Sequence, residues 1–260
     1  MKQRLDVVLA EKGMVASRSQ AESFVKLGQV KVNGRVAAKS GQMVSDADNI
    51  ELTAEEQYVS RAALKLKSAA GLFKLDFTGK IVLDVGSSTG GFTQYALRHG
   101  ARKVIAVDVG TDQLHPSLRG DERIELHEKT DIRDVVTQRQ ESRDKRQEKT
   151  QVIIENPDMV VVDVSFISLR EILPHVSSLM TPDSILVAMV KPQFEAGQSS
   201  LKHKGVIKND KMRRDILKDF ETWALKHFRI VEKADSAVAG SKGNVERFYL
   251  LKTLGRSPEG

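Results

Sequence analysis

The chain has 260 residues, room for one medium domain and a small one, with 40% hydrophobic and only 5% aromatic content. It has no cysteine, which excludes disulfides, cysteine-ligated zinc, iron–sulfur clusters and cysteine-nucleophile chemistry. The net charge of +6 favours an anionic partner, and no apolar run approaches the ~20 residues of a membrane span.

The start of the chain, Met1-Lys2-Gln3-Arg4-Leu5-Asp6, lacks an apolar secretory core, so the expected location is the cytoplasm. Residues 1–52 read as a small α+β unit. Leu5, Val8 and Leu9 form a helical stripe that ends at Gly13. Ser17 is placed to cap a second helix over 18–27, with Gly28 at its end. Val30-Lys31-Val32 and Val36 flank Asn33-Gly34, a strong hairpin signal, and Val44, Ile50 and Leu52 are expected to complete the same small sheet. Charge by itself singles out no face here, since eight Lys or Arg stand against five Asp or Glu in the first 50 residues.

The order of helix, S-R-S-x-A-E helix and G-x-V-x-V-N-G hairpin closely resembles the αL-type RNA-binding module first known from a small-subunit ribosomal protein. That module also occurs in pseudouridine synthases and tyrosyl-tRNA synthetases. The resemblance implies a face for structured RNA built from Arg4, Lys12, Arg18, Ser19, Lys26, Lys31, Asn33 and Arg35. Contacts of this kind position a folded RNA rather than read its bases.

Residues 53–58 read as a polar linker. The segment from Tyr58 to Lys67 then reads as a helix capped by Ser60 and ending near Gly71, in which Lys65 taken alone is an ordinary exposed lysine. Ile81–Val85 is a β-branched strand that stops at glycine, and Phe92–Leu97 reads as a helix opening from the turn. Strand, glycine-rich turn and helix N-terminus make a cradle in which missing Cβ atoms let backbone N–H groups approach a ligand. A second strand, Lys103–Val107, ends at Asp108, 24 residues after Asp84, where an acid suits a ribose diol. Gly86, Gly90 and Gly91 do not match G-x-G-x-x-G, and no G-K-[ST] follows. D-V-G-x-x-x-G-G with a strand-end acid is instead similar to the pattern of S-adenosylmethionine (SAM) methyltransferases. That likeness implies Asp84, Gly86, Ser87, Gly90, Gly91, Phe92 and Asp108 around the cofactor.

Ile124 to Asp131 reads as a third strand closed by an acid, and Asp131 either meets the cofactor's adenine or caps a helix. Residues 138–150 are charged and nearly core-less, a solvated helix or an insertion. Met159–Val164 carries Asp163, a helix follows over Ile172–Leu179, and the strand Ser184–Val190 ends at Lys191. Lys202, Lys204, Lys208, Lys211, Arg213 and Arg214 crowd the next loop and helix start. Met212, Ile216, Phe220, Trp223 and Ala224 mark an amphipathic helix, and a final strand pair begins at Phe228 and Val245. In a doubly wound sheet ligands bind outside the carboxyl ends of the strands, where Asp84, Asp108, Asp163 and Lys191 stand.

In chain order, Y-V-S-R-x-A-x-K-L, D-V-G-x-x-x-G-G-F-T, D-x-S-F-I-S-L, V-K-P-Q-F-E and G-N-x-E resemble the TlyA (haemolysin A) family over nearly the whole chain. Only the charged insertion, about 134–157, is longer than usual for it. Lys65, Asp163, Lys191 and Glu246 are similar to the K-D-K-E tetrad of FtsJ-like ribose 2′-O-methyltransferases. The resemblance implies an α/β chain: a Rossmann-like class I SAM methyltransferase domain over 59–254 behind the small α+β RNA-binding domain of 1–52. It implies SAM as cofactor, ribosomal RNA or subunits as partner, and methyl transfer to a cytidine 2′-hydroxyl; no metal is expected, and the lack of an apolar span argues against a membrane partner.

Lys191 is then expected to orient and deprotonate that hydroxyl, with Asp163 fixing its direction as well as facing the cofactor. Glu246 would position Lys65 or the ribose. Methylation of an exocyclic amine is disfavoured, because Asp163-Val164-Ser165-Phe166 stands where an (N/D)-P-P-(Y/F) loop would be needed. Two readings from other classes compete: a SAM-binding ribosome-assembly factor without catalysis, and a membrane-active haemolysin.

Overall fold

The computed structural model describes residues 2–15, 17–26, 28–53, 58–138, 151–196, 205–207, 209–238, 240 and 243–254, without the side chains of Ser19, Ser23 and Lys26. The N-terminal unit opens with β1 (Gln3–Arg4), α1 (Leu5–Glu11) and α2 (Arg18–Lys26). Ser17 Oγ accepts from the Gln20 N–H at 3.2 Å, the cap its position predicts. β2 (Val30–Val32) and β3 (Arg35–Val36) form the expected hairpin, and both Asn33 (φ 52°) and Gly34 (φ 75°) take the left-handed conformation its turn needs. Val44 departs from expectation. It lies in β4 (Met43–Val44), which pairs with β1 in a separate ribbon, whereas β5 (Ile50–Leu52) pairs with β2.

α3 (Arg61–Phe73) runs past Gly71, where the sequence suggested a stop. Gly71 sits on the exposed side, and burial of Phe73 two residues beyond holds the last turn until Lys74 closes it at φ 52°. The main sheet follows: β6 (Ile81–Val85), α4 (Gly91–Arg98), β7 (Lys103–Val107) and β8 (Ile124–His127). β9 (Val135–Thr137) and β10 (Val152–Ile154) form a small parallel pair that flanks the charged stretch. Residues 139–150 of that stretch lie outside the described residues. β11 (Met159–Val162), α5 (Leu169–Leu179), β12 (Ile185–Val190), α6 (Pro192–Glu195), α7 (Asp210–Ala224), β13 (Phe228–Asp235) and β14 (Arg247–Thr253) complete the chain.

The seven strands are ordered β13-β14-β12-β11-β6-β7-β8. β12, β11, β6, β7 and β8 are parallel, and β14 runs antiparallel to both its neighbours. Every residue of β6 and β11 is buried, as a parallel sheet covered on both faces requires. Alternate strand residues feed two cores. One packs α5 and α7 against Leu83, Val160 and Leu186; the other packs α3 and α4 against Val82, Val161 and Val187.

The second core also contains Leu5, Leu9, Phe24 and Val30, so apolar packing runs continuously into the N-terminal unit. Gln20 Nε2 donates to the Tyr58 carbonyl, and the Val59 N–H donates to Gln94 Oε1 at 2.7 Å, fastening the junction. Among the described residues no helix is long and apolar enough to cross a membrane.

Candidate active site

The strand order reverses between β6 and β11, which opens a crevice at their carboxyl ends. Gly86 follows β6 with φ 81°, and a Cβ there would stand 2.9 Å from the Asp163 carbonyl oxygen, so only glycine lets these two strand ends close. Two adjoining cavities meet at Gly86, Ser88, Asp163 and Ser165.

The first, about 270 Å³, is polar and holds two lysine–carboxylate pairs. Lys65 is buried on α3 with Nζ 2.5 Å from Glu246 Oε2. Lys191, buried at the end of β12, has Nζ 2.6 Å from Asp163 Oδ1 and donates to Ser165 Oγ at 2.8 Å. An ammonium taken out of water is costly unless paired and hydrogen-bonded, so these pairings are what allow both lysines inside. Lys65 is therefore not the exposed helix lysine its local sequence suggests.

Among the described residues, Ser60 Oγ, Asp84 Oδ1 and Ser87 Oγ line the same cavity, buried and with neither a hydrogen-bond nor an ion-pair partner. Ser60 occupies the N-cap position of α3, yet its side chain makes no capping bond. Asp84 is fully buried, and its Oδ2 accepts from Thr93 Oγ1 at 2.7 Å. Burial pushes the Asp84 carboxyl up to about 7, with Thr93 opposing and Asp163 adding to the rise. A ligand bearing an ammonium and a carboxylate suits this end of the crevice, because it would satisfy the orphaned acid and hydroxyls.

The second cavity, about 370 Å³, has apolar walls that include Val107, Val109, Ile132, Val164, Ile167 and Ile172, with Asp108 and Asp131 on its border. Asp108 is held by the N–H groups of Ser88 (2.8 Å) and Gly110 (2.7 Å). Of its two expected roles, Asp131 is seen in the cap. It caps the 3-10 turn Ile132–Asp134 by accepting from the Arg133 N–H at 2.9 Å, and it lines the cavity. Its side-chain bond to the Arg133 guanidinium keeps it well below the usual carboxylate range. An apolar slot edged by two acids fits a nucleoside, so the crevice as a whole fits the cofactor that the sequence resemblance implies.

Asp84, Gly86, Ser87, Phe92, Asp163, Lys65 and Lys191 all line the first cavity, and Glu246 reaches it through Lys65. Gly90 and Gly91 do not line either cavity. A Cβ on Gly90 would strike Leu114 and Leu118, and one on Gly91 would strike Ser60 and the backbone of Ala63, so both serve close packing. Sequence reasoning missed Ser165 and Phe166 as lining residues. Their position directly after the strand-end Asp163 was the available signal. Phe166 is 92% exposed on the rim, with a left-handed φ of 68° and its ring 5.3 Å from Phe194.

In the N-terminal unit, Arg4 and Arg18 both bind the buried Asp6, at 3.0 and 3.1 Å. Arg4, with Arg18 helping, holds Asp6 below the usual carboxylate range. Lys12 and Arg35 are exposed and Lys31 partly so. The Asn33 amide is used within the unit, donating to Asp48 at 2.7 Å and accepting from the Asn49 N–H at 2.9 Å. The side chains of Ser19 and Lys26 lie outside the described residues.

A doubly wound sheet with a nucleoside-shaped slot beside paired lysines and carboxylates defines a Rossmann-like transferase domain of the methyltransferase class. The FtsJ-like methyltransferase model matches residues 58–253, and the S4 domain model matches residues 3–50. The chain belongs to the FtsJ-like methyltransferase family and carries an N-terminal S4 domain. It is 35% identical to the 16S/23S rRNA (cytidine-2′-O)-methyltransferase TlyA of Mycobacterium tuberculosis, over 96% of this chain and 90% of that one. It is 36% identical to the 23S rRNA (cytidine-2′-O)-methyltransferase TlyA of Campylobacter jejuni, over 90% of this chain and 93% of that one. Among solved structures, a Streptococcus thermophilus protein named for the hemolysins superimposes with a TM-score of 0.67 at 34% identity, covering 98% of this chain and 89% of that one.

Proposed function

We propose that the protein transfers the methyl group of SAM to the 2′-hydroxyl of a cytidine in ribosomal RNA, with Lys191 as the residue that orients and deprotonates the hydroxyl. The observation that carries this reading is the pair of buried lysine–carboxylate contacts, Lys65–Glu246 and Lys191–Asp163, facing one polar cavity beside the Gly86 turn. The substrate class comes from the two TlyA relatives and the S4 domain.

SAM supplies an already activated methyl when bound, so the protein's share is to hold geometry and move a proton. Asp84, Ser60 and Ser87 would take the ends of its amino acid portion, and Asp108 and Asp131 would border its nucleoside. Lys191 lines the first cavity beside the residues the two cavities share, and two of those, Asp163 and Ser165, aim its Nζ. Lys65 keeps a second positive charge beside the site, and Glu246 holds it there. Phe166 offers an exposed ring at the rim on which an unstacked base can lie.

The test is transfer of labelled methyl from SAM to purified, unmodified ribosomal subunits, with Lys191→Ala alongside. Label that enters RNA with the wild type only, and survives alkaline hydrolysis as a 2′-O-methylated dinucleotide, supports the ribose methyltransferase. No label with SAM still bound overturns it in favour of a non-catalytic assembly factor.

A further inference from the structure

We propose that Glu195 is a positioning residue that clamps the Asp163–Ser168 segment to the end of β12, so that Asp163 and Ser165 stay aimed at Lys191. This rests on the methyltransferase reading above and adds a role outside the tetrad. Glu195 ends the short helix that begins one residue after Lys191, and it is a buried carboxylate. Both its oxygens are committed to the other segment. Oε2 accepts from Ser168 Oγ at 2.6 Å, and Oε1 accepts from the Leu169 N–H at 2.7 Å. Arg170 Nε stands 3.5 Å from Oε2, and the far side of that guanidinium binds Asp219 at 2.7 Å.

Two ties therefore join the same two stretches of chain. The inner one is Lys191 to Asp163 and Ser165, inside the cavity; the outer one is Glu195 to Ser168 and Leu169, away from it. The inner tie must loosen whenever the lysine turns to a substrate hydroxyl. The outer tie keeps the segment in place through that exchange. Two observations say the segment needs holding. Phe166 within it sits at φ 68°, a strained conformation for a bulky residue that persists only where the surroundings over-determine it. A carboxylate is also an expensive group to bury where packing alone would serve, unless its hydrogen bonds fix a particular geometry.

The experiment is single-turnover methyl transfer by full-length Glu195→Gln to unmodified subunits, with SAM and RNA affinities measured on the same preparation. Gln keeps the size but turns one acceptor into a donor facing the Ser168 hydroxyl or the Leu169 N–H. The expected result is a rate loss of roughly 10- to 100-fold with both affinities within about twofold of wild type, because misplacement of the reacting groups costs rate rather than binding. A rate within about twofold of wild type overturns the proposal, as does a loss matched by an equal fall in SAM affinity, which marks mere collapse of the cavity wall. If Glu195→Gln does not fold, Ser168→Ala removes one of the two ties: a rate loss at unchanged SAM affinity supports the clamp, and an unchanged rate overturns it. Wild type and Lys191→Ala run beside these. An inert wild type sinks the methyltransferase reading itself, whereas an active wild type with an equally active Glu195→Gln sinks only the clamp.

Discussion

Lys65 Nζ and Glu246 Oε2 meet at 2.5 Å, joining the helix that follows the S4 domain to the turn before the last strand. Gly240 presses on the same carboxylate so closely that it leaves no room for a Cβ. The carboxylate is thus enclosed, while the lysine faces the polar cavity.

Removing one partner of a buried ion pair strands the other charge. Lys65→Met or Glu246→Gln alone is expected to destabilise the chain by about 3 kcal/mol, whereas the double variant recovers most of that loss. Methyl transfer stays absent in all three. Thermal unfolding and the transfer assay on the four proteins check this. A double variant that regains activity would show the pair to be structural only.

Asp84 makes cofactor affinity depend on pH. With its carboxyl raised to about 7, it is mostly protonated at pH 6 and mostly ionised at pH 8. Only the ionised form attracts an ammonium, so SAM is expected to bind about tenfold more tightly at pH 8 than at pH 6, and Asp84→Asn flattens the profile. Stability without cofactor runs the other way. The folded chain keeps a proton that the unfolded chain releases near 3.8, so the Asp84 contribution is full below that pH and is lost as pH rises toward 7. Calorimetric titration and melting curves at the two pH values measure both effects.

Phe166→Gly relieves a left-handed backbone while deleting an exposed ring. The melting temperature is expected to hold or rise, because glycine adopts φ 68° without strain. RNA methylation is expected to fall by an amount equivalent to about 1–3 kcal/mol, the worth of one base stacked on an aromatic side chain. A variant with full activity removes the ring from the substrate path.

Exposed Lys12 and Arg35 and half-exposed Lys31 of the S4 domain are expected to set the salt dependence of RNA binding. Replacing Lys12, Lys31 and Arg35 singly by Ala is expected to lower the slope of log affinity against log salt by about one each, uniformly across RNA sequences. Asp6→Ala should weaken RNA binding although it removes a negative charge, because Arg4 and Arg18 lose the carboxylate that fixes them. Filter binding over a salt series separates these outcomes.

Local chemistry made much of this protein legible in its sequence. Apolar, mostly β-branched runs that stop at glycine, acid or lysine place β6, β7, β11 and β12 and the residues at their carboxyl ends, since strand period and turn residues act over a few positions. Asn33-Gly34 specifies its hairpin for the same reason. What depends on distant partners was not legible. Gly71 reads as a helix end, but burial of Phe73 carries α3 past it. Val44 pairs with Gln3, from the far end of the unit, rather than with its sequence neighbours. Ser60 reads as a cap, yet its hydroxyl lines the cavity. Nothing near Lys65 or Glu195 in sequence reports that either is buried, because the energy that keeps a charge inside comes from groups the chain brings back only when the sheet closes. Sequence thus placed the reactive groups at the strand ends, and tertiary structure alone decided which charge each one faces.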